Sequence, residues 1–198
     1  YKGKNPHVFV FSEDSTFRYE CHDVWYSESF GRWRKAGNVI CLTSFQQRDR
    51  MPVEYMKTEN SQSKGIVKVK INASDNPERD YICFPYVNGV PFFSEESLDV
   101  PPRGSYSFNV KELVDSISFV VAKRPFILRG TGYKMTYDDV RTDIIYPHLL
   151  AGETLEVTVN IVDSLFGYSF FKNEGLKLKN KKIIFQNKGN KYKLYLTK

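Results

Sequence analysis

Apolar and polar residues alternate along most of the chain, and this period of two predicts β-strands. The clearest case is the series Phe17, Tyr19 and Cys21, whose members are separated by polar residues. No stretch keeps the 3.6-residue period of an amphipathic helix, although 109–114 is compatible with one helical turn and 137–146 with either structure. The predicted strands that precede the C-terminal segment lie at 7–11, 16–22, 30–35, 39–44, 65–73, 80–87, 115–121 and 155–161.

Turn residues between these strands set their register. Gly37-Asn38 is a hairpin signal, and a turn centred on it places Trp33 opposite Leu42. Because cross-strand partners share a face of the sheet, we expect Trp33 and Leu42 to be buried together. The other predicted pairs are Lys35 with Ile40, Arg34 with Cys41 and Arg32 with Thr43, and the last two face outward. A second signal, Asn88-Gly89, predicts another hairpin.

The C-terminal segment predicts a three-stranded meander with one apolar face. Its alternating apolar residues are Leu176, Leu178, Ile183, Phe185, Tyr192, Leu194 and Leu196. Turns at 180–181 and 188–189 place Leu178 opposite Ile183 and Phe185 opposite Tyr192. An isolated meander is only marginally stable, so we expect this one to pair with the first four strands.

Together these patterns predict an all-β protein with two modules. The two chain ends, 1–60 and 172–198, are expected to form an antiparallel, barrel-like meander. The middle, 65–171, is expected to form an inserted β-sandwich. We place the boundary in the polar stretch 58–64, which contains no aliphatic residue, and Pro101-Pro102 interrupts the chain again further on.

The net charge of +6 is confined to the C-terminal segment. Residues 172–198 contain nine lysines and one glutamate, so the other 171 residues carry a net charge of −2. Lys177, Lys191 and Lys193 fall on the face opposite the apolar one, where lysine also opposes edge-to-edge aggregation. Aromatic residues alternate away from them, unlike the interleaved pattern of nucleic-acid modules. We therefore expect a solvated face and no specific nucleic-acid binding, with attraction to an anionic surface as the alternative.

Composition indicates a folded domain. Of the 198 residues, 41% are hydrophobic and 15% are aromatic, which excludes wholesale disorder. No apolar run approaches the roughly 18 residues of a membrane-spanning helix. Because the first residue is Tyr1, we expect a mature or trimmed chain that has lost a signal peptide or a lipid-attachment segment.

Enzyme motifs are missing from the sequence. It contains no GxSxG, HExxH, CxxC or glycine-rich phosphate loop. His22, Asp23 and Ser27 have the side-chain types of a catalytic triad, but such neighbours on one loop are typical of a solvated turn. We therefore predict no catalytic residues and no cofactor, and expect a non-enzyme.

Two groups of potential metal ligands also have simpler interpretations. Asp138, Asp139 and Asp143 lack the spacing of an EF-hand, and the intervening Arg141 offers a competing ion pair, so we expect a solvated acidic loop and no metal. The three cysteines show no metal-site spacing, and the predicted register puts two of them on opposite faces, which disfavours a disulfide between those two. We expect free or partly buried thiols at Cys21, Cys41 and Cys83.

The best candidate for ligand binding in the sequence is the segment that contains Trp25 and Tyr26. It lies between two predicted strands, and adjacent residues of an extended chain point in opposite directions, so one of the two rings is expected to face solvent. An exposed aromatic ring on a loop is suited to stacking against a sugar. The competing interpretation is that one ring closes the end of the barrel or sandwich.

One resemblance covers about a third of the chain. Phe17 and Tyr19, then Gly31 and Trp33, then Ile40, Leu42 and Ser44 follow a Phe-x-Tyr, Gly-x-Trp, Ile-x-Leu pattern. This pattern resembles the N-terminal meander of secreted or lipid-anchored cell-envelope proteins of Gram-negative gut bacteria, and 163–171 with the lysine-rich meander resembles their C-terminal part. The segments VKVKINA and YVNGVPF are weakly similar to transthyretin-like modules of the carboxypeptidase-regulatory type.

The resemblance implies a location in the periplasm, the outer membrane or at the cell surface, and it brings no catalytic residue. We therefore expect a non-catalytic binding or structural protein whose partner is an envelope protein or a glycan. Contact with the membrane is expected only through a lost N-terminal lipid anchor. Two alternatives stay open: a lipocalin-like carrier, since lipocalins also contain Gly-x-Trp, and a hydrolase whose site is assembled between the modules.

Overall fold

The protein is all-β, as the alternating pattern predicts. A computed structural model describes residues 6–22, 26–59, 64–74, 80–93, 104–124, 126–127, 134–179, 182–187 and 190–195. Its strands are β1 (His7–Phe11), β2 (Thr16–His22), β3 (Tyr26–Ala36), β4 (Val39–Ser44), β5 (Val53–Glu59), β6 (Gly65–Asn72), β7 (Tyr81–Val87), β8 (Val90–Pro91), β9 (Tyr106–Val110), β10 (Ile117–Lys123), β11 (Phe126–Ile127), β12 (Lys134–Met135), β13 (Val140–Arg141), β14 (Glu153–Asn160), β15 (Lys172–Lys179), β16 (Lys182–Asn187) and β17 (Asn190–Tyr195).

The chain divides into two compact units, and both chain ends contribute to the first of them. The first unit comprises Tyr1–Arg48, Ile127–Met135 and Gly167–Lys198, and the second comprises Asp49–Phe126 and Thr136–Phe166. Strand β5 lies in the second unit, where it pairs with β14. The boundary predicted at 58–64 places β5 in the meander module of 1–60 instead, so the first unit ends earlier in the chain than the sequence predicts.

The first unit contains a nearly closed, seven-stranded antiparallel sheet. The strand order is β1-β2-β3-β4-β15-β16-β17, so the C-terminal meander continues the N-terminal one through the pairing of β4 with β15. The two edge strands approach each other through His7 on β1 and Tyr192 on β17, whose ring centroids are 4.1 Å apart. The prediction of a barrel-like module built from both chain ends is confirmed.

The register of the β3–β4 hairpin is the predicted one. Trp33 lies opposite Leu42, and the turn between the strands contains Gly37 with a φ of 60°. Leu42 is fully buried, and Trp33 is partly buried and packs against the same core cluster, so the inward orientation predicted for both side chains is confirmed. Its ring packs edge-on against Phe11 at 5.6 Å, and its Nε1 donates a hydrogen bond to the Ser12 carbonyl oxygen at 3.1 Å.

Aromatic rings fill the interior of the first unit. Tyr19 is fully buried, with Phe9 at 4.7 Å and Phe171 at 5.3 Å between ring centroids. The buried cluster consists of Phe17, Tyr19, Cys21, Ile40, Leu42, Phe171, Leu176, Ile183 and Phe185. The predicted C-terminal pairs Leu178–Ile183 and Phe185–Tyr192 are also present. Their apolar side chains therefore complete a core that neither chain end contains alone.

The second unit contains two four-stranded sheets. One has the order β5-β14-β6-β9 and the other β13-β10-β7-β8. All their strand pairs are antiparallel except β14 with β6, which are parallel. Alternation directs every second side chain of β6 and β14 into the core, including Val67, Val69, Leu155 and Val157. This unit contains the sandwich that the middle of the sequence predicts.

One predicted hairpin and the two segments of ambiguous pattern lie in this unit. The Asn88-Gly89 hairpin is confirmed, with φ angles of 50° and 80° that suit a tight two-residue turn between β7 and β8. The segment 109–114 is not a helical turn, because its first two residues belong to β9. Segment 137–146 contains the short strand β13.

Candidate functional site

Of the two residues predicted to bind a ligand, Tyr26 lies within the described part of the chain and Trp25 lies outside it. Tyr26 begins β3 opposite His22 and donates a hydrogen bond from its hydroxyl to Glu28 Oε2 at 2.8 Å. Burial and the neighbouring Glu28 carboxylate raise the pKa of Tyr26. Its hydroxyl is thus committed to its own strand, which leaves mainly the ring for contact with a ligand.

The surface around Tyr26 consists of paired charges. Glu20 accepts from Arg18 and lies 3.0 Å from His22 Nε2, while the Arg18 guanidinium stacks 5.5 Å above the Phe30 ring. These contacts run along and across neighbouring strands on one sheet face. Such exposed pairs contribute little to stability. Their polar groups bind one another and are not directed at a common ligand position.

No triad forms around His22 in the part of the chain that the structure describes. Ser27 pairs with Cys21, so it lies on the opposite face of β2 and β3 from His22. Asp23 lies outside the described residues. The other histidines have their own partners: His7 Nδ1 is 2.9 Å from the Tyr19 hydroxyl, and His148 Nδ1 is 3.4 Å from Asp115 Oδ1.

Metal binding also finds no support in the described residues. None of their His, Cys, Asp and Glu side chains form a group of three or more arranged to hold an ion. The cysteines are free thiols, with Cys21 and Cys83 buried and Cys41 partly exposed. Burial raises the pKa of the Cys83 thiol to about 12, so that thiol is protonated and unreactive at neutral pH.

A pocket on the second unit is the strongest candidate site in the structure. It lies on the sheet of β13, β10, β7 and β8 and has a volume of about 360 Å³, near the lower end of the range of about 300–1,000 Å³ for ligand pockets. The described residues that line it are Phe84, Pro85, Tyr86, Pro91, Phe93, Val120 and Asp139. Three aromatic rings, two prolines and one carboxylate therefore surround a single concave space. We call it the outer-sheet pocket.

Strand alternation explains why these side chains meet. On β7, Tyr81, Cys83 and Pro85 are buried, so Phe84 and Tyr86 point to the other face. Val120 lies opposite Phe84 in the register of β10 and β7 and therefore shares that face. Phe84, Tyr86 and Val120 thus line the pocket from the face of the sheet that points away from the core of the second unit.

Neighbouring contacts hold the walls of the outer-sheet pocket. The Phe93 ring lies 5.1 Å from Phe92 and 5.8 Å from Phe108, and the latter is buried. The Arg141 guanidinium stacks 5.6 Å above the Tyr86 ring. Rings held in this way lose little conformational freedom when a ligand binds, which favours affinity.

Asp139 gives the outer-sheet pocket its polar group. It directly precedes β13, on the far side of Val120 from the aromatic strand β7. The Asp139 side chain is exposed, but desolvation by the surrounding atoms and the negative charge of Asp138 raise its pKa. Asp138 and Asp139 are both exposed, as the interpretation as a solvated acidic loop expects, but that interpretation does not anticipate that Asp139 lines a pocket.

A second groove, of about 510 Å³, lacks the grouped aromatic rings of the outer-sheet pocket, although Asn109, Lys111 and Glu112 are among its lining residues. It lies beside the β7–β8 turn and residues 109–114. Its Asn88 side chain donates to the Leu113 carbonyl oxygen and accepts from the amides of Asp115 and Ser116. The amide of Asn88 thus fixes a loop and is not available to orient a ligand.

The partly buried Lys123 in the second unit has a structural role. Lys123 Nζ lies 2.5 Å from Asp163 Oδ1 and 5.0 Å from the centre of the Tyr137 ring, with the rings of Phe166 and Tyr81 slightly further away. Tyr81 donates a second hydrogen bond to Asp163 at 2.7 Å. Burial alone raises the pKa of Asp163, but the hydrogen bonds from Lys123 and Tyr81 outweigh it and lower that pKa.

Comparison of the chain with known protein families, curated proteins and solved structures found no match. In the described residues, no helix has the length and apolar character needed to cross a bilayer. Among the described features, the outer-sheet pocket bears most directly on function. Sequence reasoning missed this pocket, although β7 contains a signal for it: the run YICFPYV lacks the polar positions of a strand with one solvated face.

Proposed function

We propose that this chain is a non-catalytic binding protein of the bacterial cell envelope and that the outer-sheet pocket is its ligand site. The observation that carries the proposal is the grouping of Phe84, Tyr86 and Phe93 with Asp139 around one concave space. Apolar walls with a few polar groups are the usual composition of a binding site. The envelope location rests on the resemblance of the N-terminal meander.

The described titratable groups support binding rather than catalysis. A general base or nucleophile needs a second group within hydrogen-bond reach that activates it. In the outer-sheet pocket, Asp139 is the one titratable acid among the described lining residues, and Tyr86 has its ring under Arg141. This set offers shape, apolar contact and one acceptor, which is enough to bind a ligand.

The filled interior of the first unit favours a surface site over a carrier cavity. Phe9, Tyr19 and Phe171 have ring centroids within 4.7–6.0 Å of one another, and the ring of Phe185 lies 5.2 Å from that of Phe9. A lipocalin-like carrier requires an internal apolar space for its ligand. The proposal therefore places the ligand on a sheet face of the second unit.

Co-sedimentation with isolated Gram-negative cell envelopes tests the proposal. Val120→Trp fills the outer-sheet pocket from its floor, and Lys70→Trp adds the same side chain at an exposed position of β6. We expect wild type and Lys70→Trp to sediment with the envelopes and Val120→Trp to remain mostly in solution. Equal sedimentation of all three proteins, or of none, would reject the proposed function.

A further inference from the structure

The outer-sheet pocket combines flat aromatic walls with one hydrogen-bond acceptor. Phe84 and Tyr86 project from the same face of β7, and Phe93 contributes a third ring beyond β8. A ring face is apolar and carries partial negative charge, so it packs well against polarised C–H groups. Ligands with a flat C–H face therefore complement these walls.

The charge of the pocket restricts the ligand further. Of the described lining residues, Asp139 alone carries a charge, and that charge is negative. Arg141 lies nearby, but its guanidinium stacks on the Tyr86 ring and is not a lining residue. A carboxylate accepts hydrogen bonds from hydroxyl groups and repels another carboxylate. The ligand should hence have hydroxyl donors and no negative charge.

We propose that the outer-sheet pocket binds neutral pyranose sugars, with the C–H face of the sugar against Phe84, Tyr86 and Phe93 and a sugar hydroxyl donating to Asp139. This inference rests on the proposed function and names its ligand class. A pyranose ring has an apolar C–H face and hydroxyl groups at its edge, which matches aromatic walls beside a single carboxylate. Sugars with carboxylate groups, such as uronic acids, can stack on the aromatic walls, but their negative charge is repelled by Asp139.

The state of Asp139 adds a pH dependence to this binding. The ionised carboxylate is the better acceptor, and desolvation by surrounding atoms together with the charge of Asp138 raises the pKa of Asp139. On acidification this group takes up its proton at a higher pH than an ordinary aspartate does. As the pH is lowered, sugar affinity should therefore begin to fall at a higher pH than the one at which an ordinary aspartate is protonated.

Binding to immobilised neutral and uronic-acid oligosaccharides, followed by titration calorimetry of the hits, tests the proposal. We expect wild type to bind neutral glycans and to reject uronic-acid glycans. Asp139→Asn preserves shape and should lower the affinity about tenfold or more, since hydrogen bonds to charged groups are the stronger ones. Phe93→Ala should abolish binding, and Asp115→Asn, an exposed aspartate of the same unit, should leave it unchanged.

Thermal melting of each variant separates loss of binding from loss of folding. If Phe93→Ala melts early, Val120→Trp replaces it, because its added ring blocks the pocket from an outward-facing position. A preference of wild type for uronic-acid glycans, or unchanged affinity in Asp139→Asn, would overturn the proposal. If no glycan binds but envelope sedimentation still depends on Val120, the sugar class is wrong and the proposed function stands.

Discussion

The Phe17 ring occupies the space that a side chain of Gly31 would fill. The two residues lie directly opposite each other on β2 and β3, and a Cβ added to Gly31 would stand 2.6 Å from Phe17 Cε1 and clash with the Thr43 carbonyl oxygen. The glycine of the Gly-x-Trp pattern is thus required by packing. Because Gly31 has no side chain, the Phe17 ring on the neighbouring strand has room to lie over it.

Gly31→Ala should therefore destabilise the first unit by about 3 kcal/mol, at the upper end of the usual cost of overpacking a core. Urea unfolding followed by far-UV circular dichroism measures this loss. Gly175→Ala is the matched control, because its added Cβ meets only Val39 Cγ1 at 3.3 Å, and it should cost less than about 1 kcal/mol. Equal unfolding midpoints for the two variants would contradict the tight packing of Phe17 and the β4 backbone around Gly31.

Trp33 is expected to contribute less than a buried tryptophan. Its ring touches Phe11 and its Nε1 donates to the Ser12 carbonyl oxygen, but part of the side chain is exposed. Trp33→Ala should cost about 2 kcal/mol, below the roughly 3–5 kcal/mol of a fully buried aromatic residue. Trp33→Phe keeps a ring and loses the hydrogen bond, so its cost should be nearer 1 kcal/mol. A loss above about 4 kcal/mol for the alanine variant would indicate full burial.

The three thiols should differ in reactivity. Cys21 and Cys83 are buried, and burial raises the pKa of the Cys83 thiol to about 12, while Cys41 is partly exposed. Because the thiolate is the reactive form, iodoacetamide should label Cys41 first in the native protein. Peptide mass spectrometry measures the order, and labelling in urea shows that all three sites can react. Early native labelling of Cys83 would contradict its burial.

Local patterning accounts for the features that the sequence predicted well. The turns Gly37-Asn38 and Asn88-Gly89 fix their hairpins because few residues tolerate a positive φ, and turn position then determines every cross-strand pair. The same logic gave the pairs Leu178–Ile183 and Phe185–Tyr192. Register follows from alternation when one face of a strand is buried.

Features that depend on distant parts of the chain were not predictable in this way. Strand β5 was missed because six of its seven residues are exposed, so it has no apolar alternation, and its place beside β14 is a long-range pairing. The outer-sheet pocket was missed for a related reason. Phe84 and Tyr86 look like core residues in the sequence, and Asp139 reaches them only because β10 pairs with both β7 and β13.

The ion pair between Lys123 and Asp163 should make the stability of the second unit depend on pH. This pair lowers the pKa of Asp163 in the folded state, so the stabilisation is complete above the ordinary aspartate value of 3.8 and is lost as the pH falls through the lower folded-state pKa. Lys123→Met should lower the free energy of unfolding by about 1–2 kcal/mol at neutral pH through loss of the ion pair and of the cation–π contacts. Unfolding measured from pH 7 to pH 2.5 should show this difference shrinking below about pH 4.

Lys68→Met is the control variant, because it breaks only the exposed pair with Glu156 and should cost under about 1 kcal/mol. A pH-independent difference for Lys123→Met would show that its packing, rather than the pair with Asp163, stabilises the second unit.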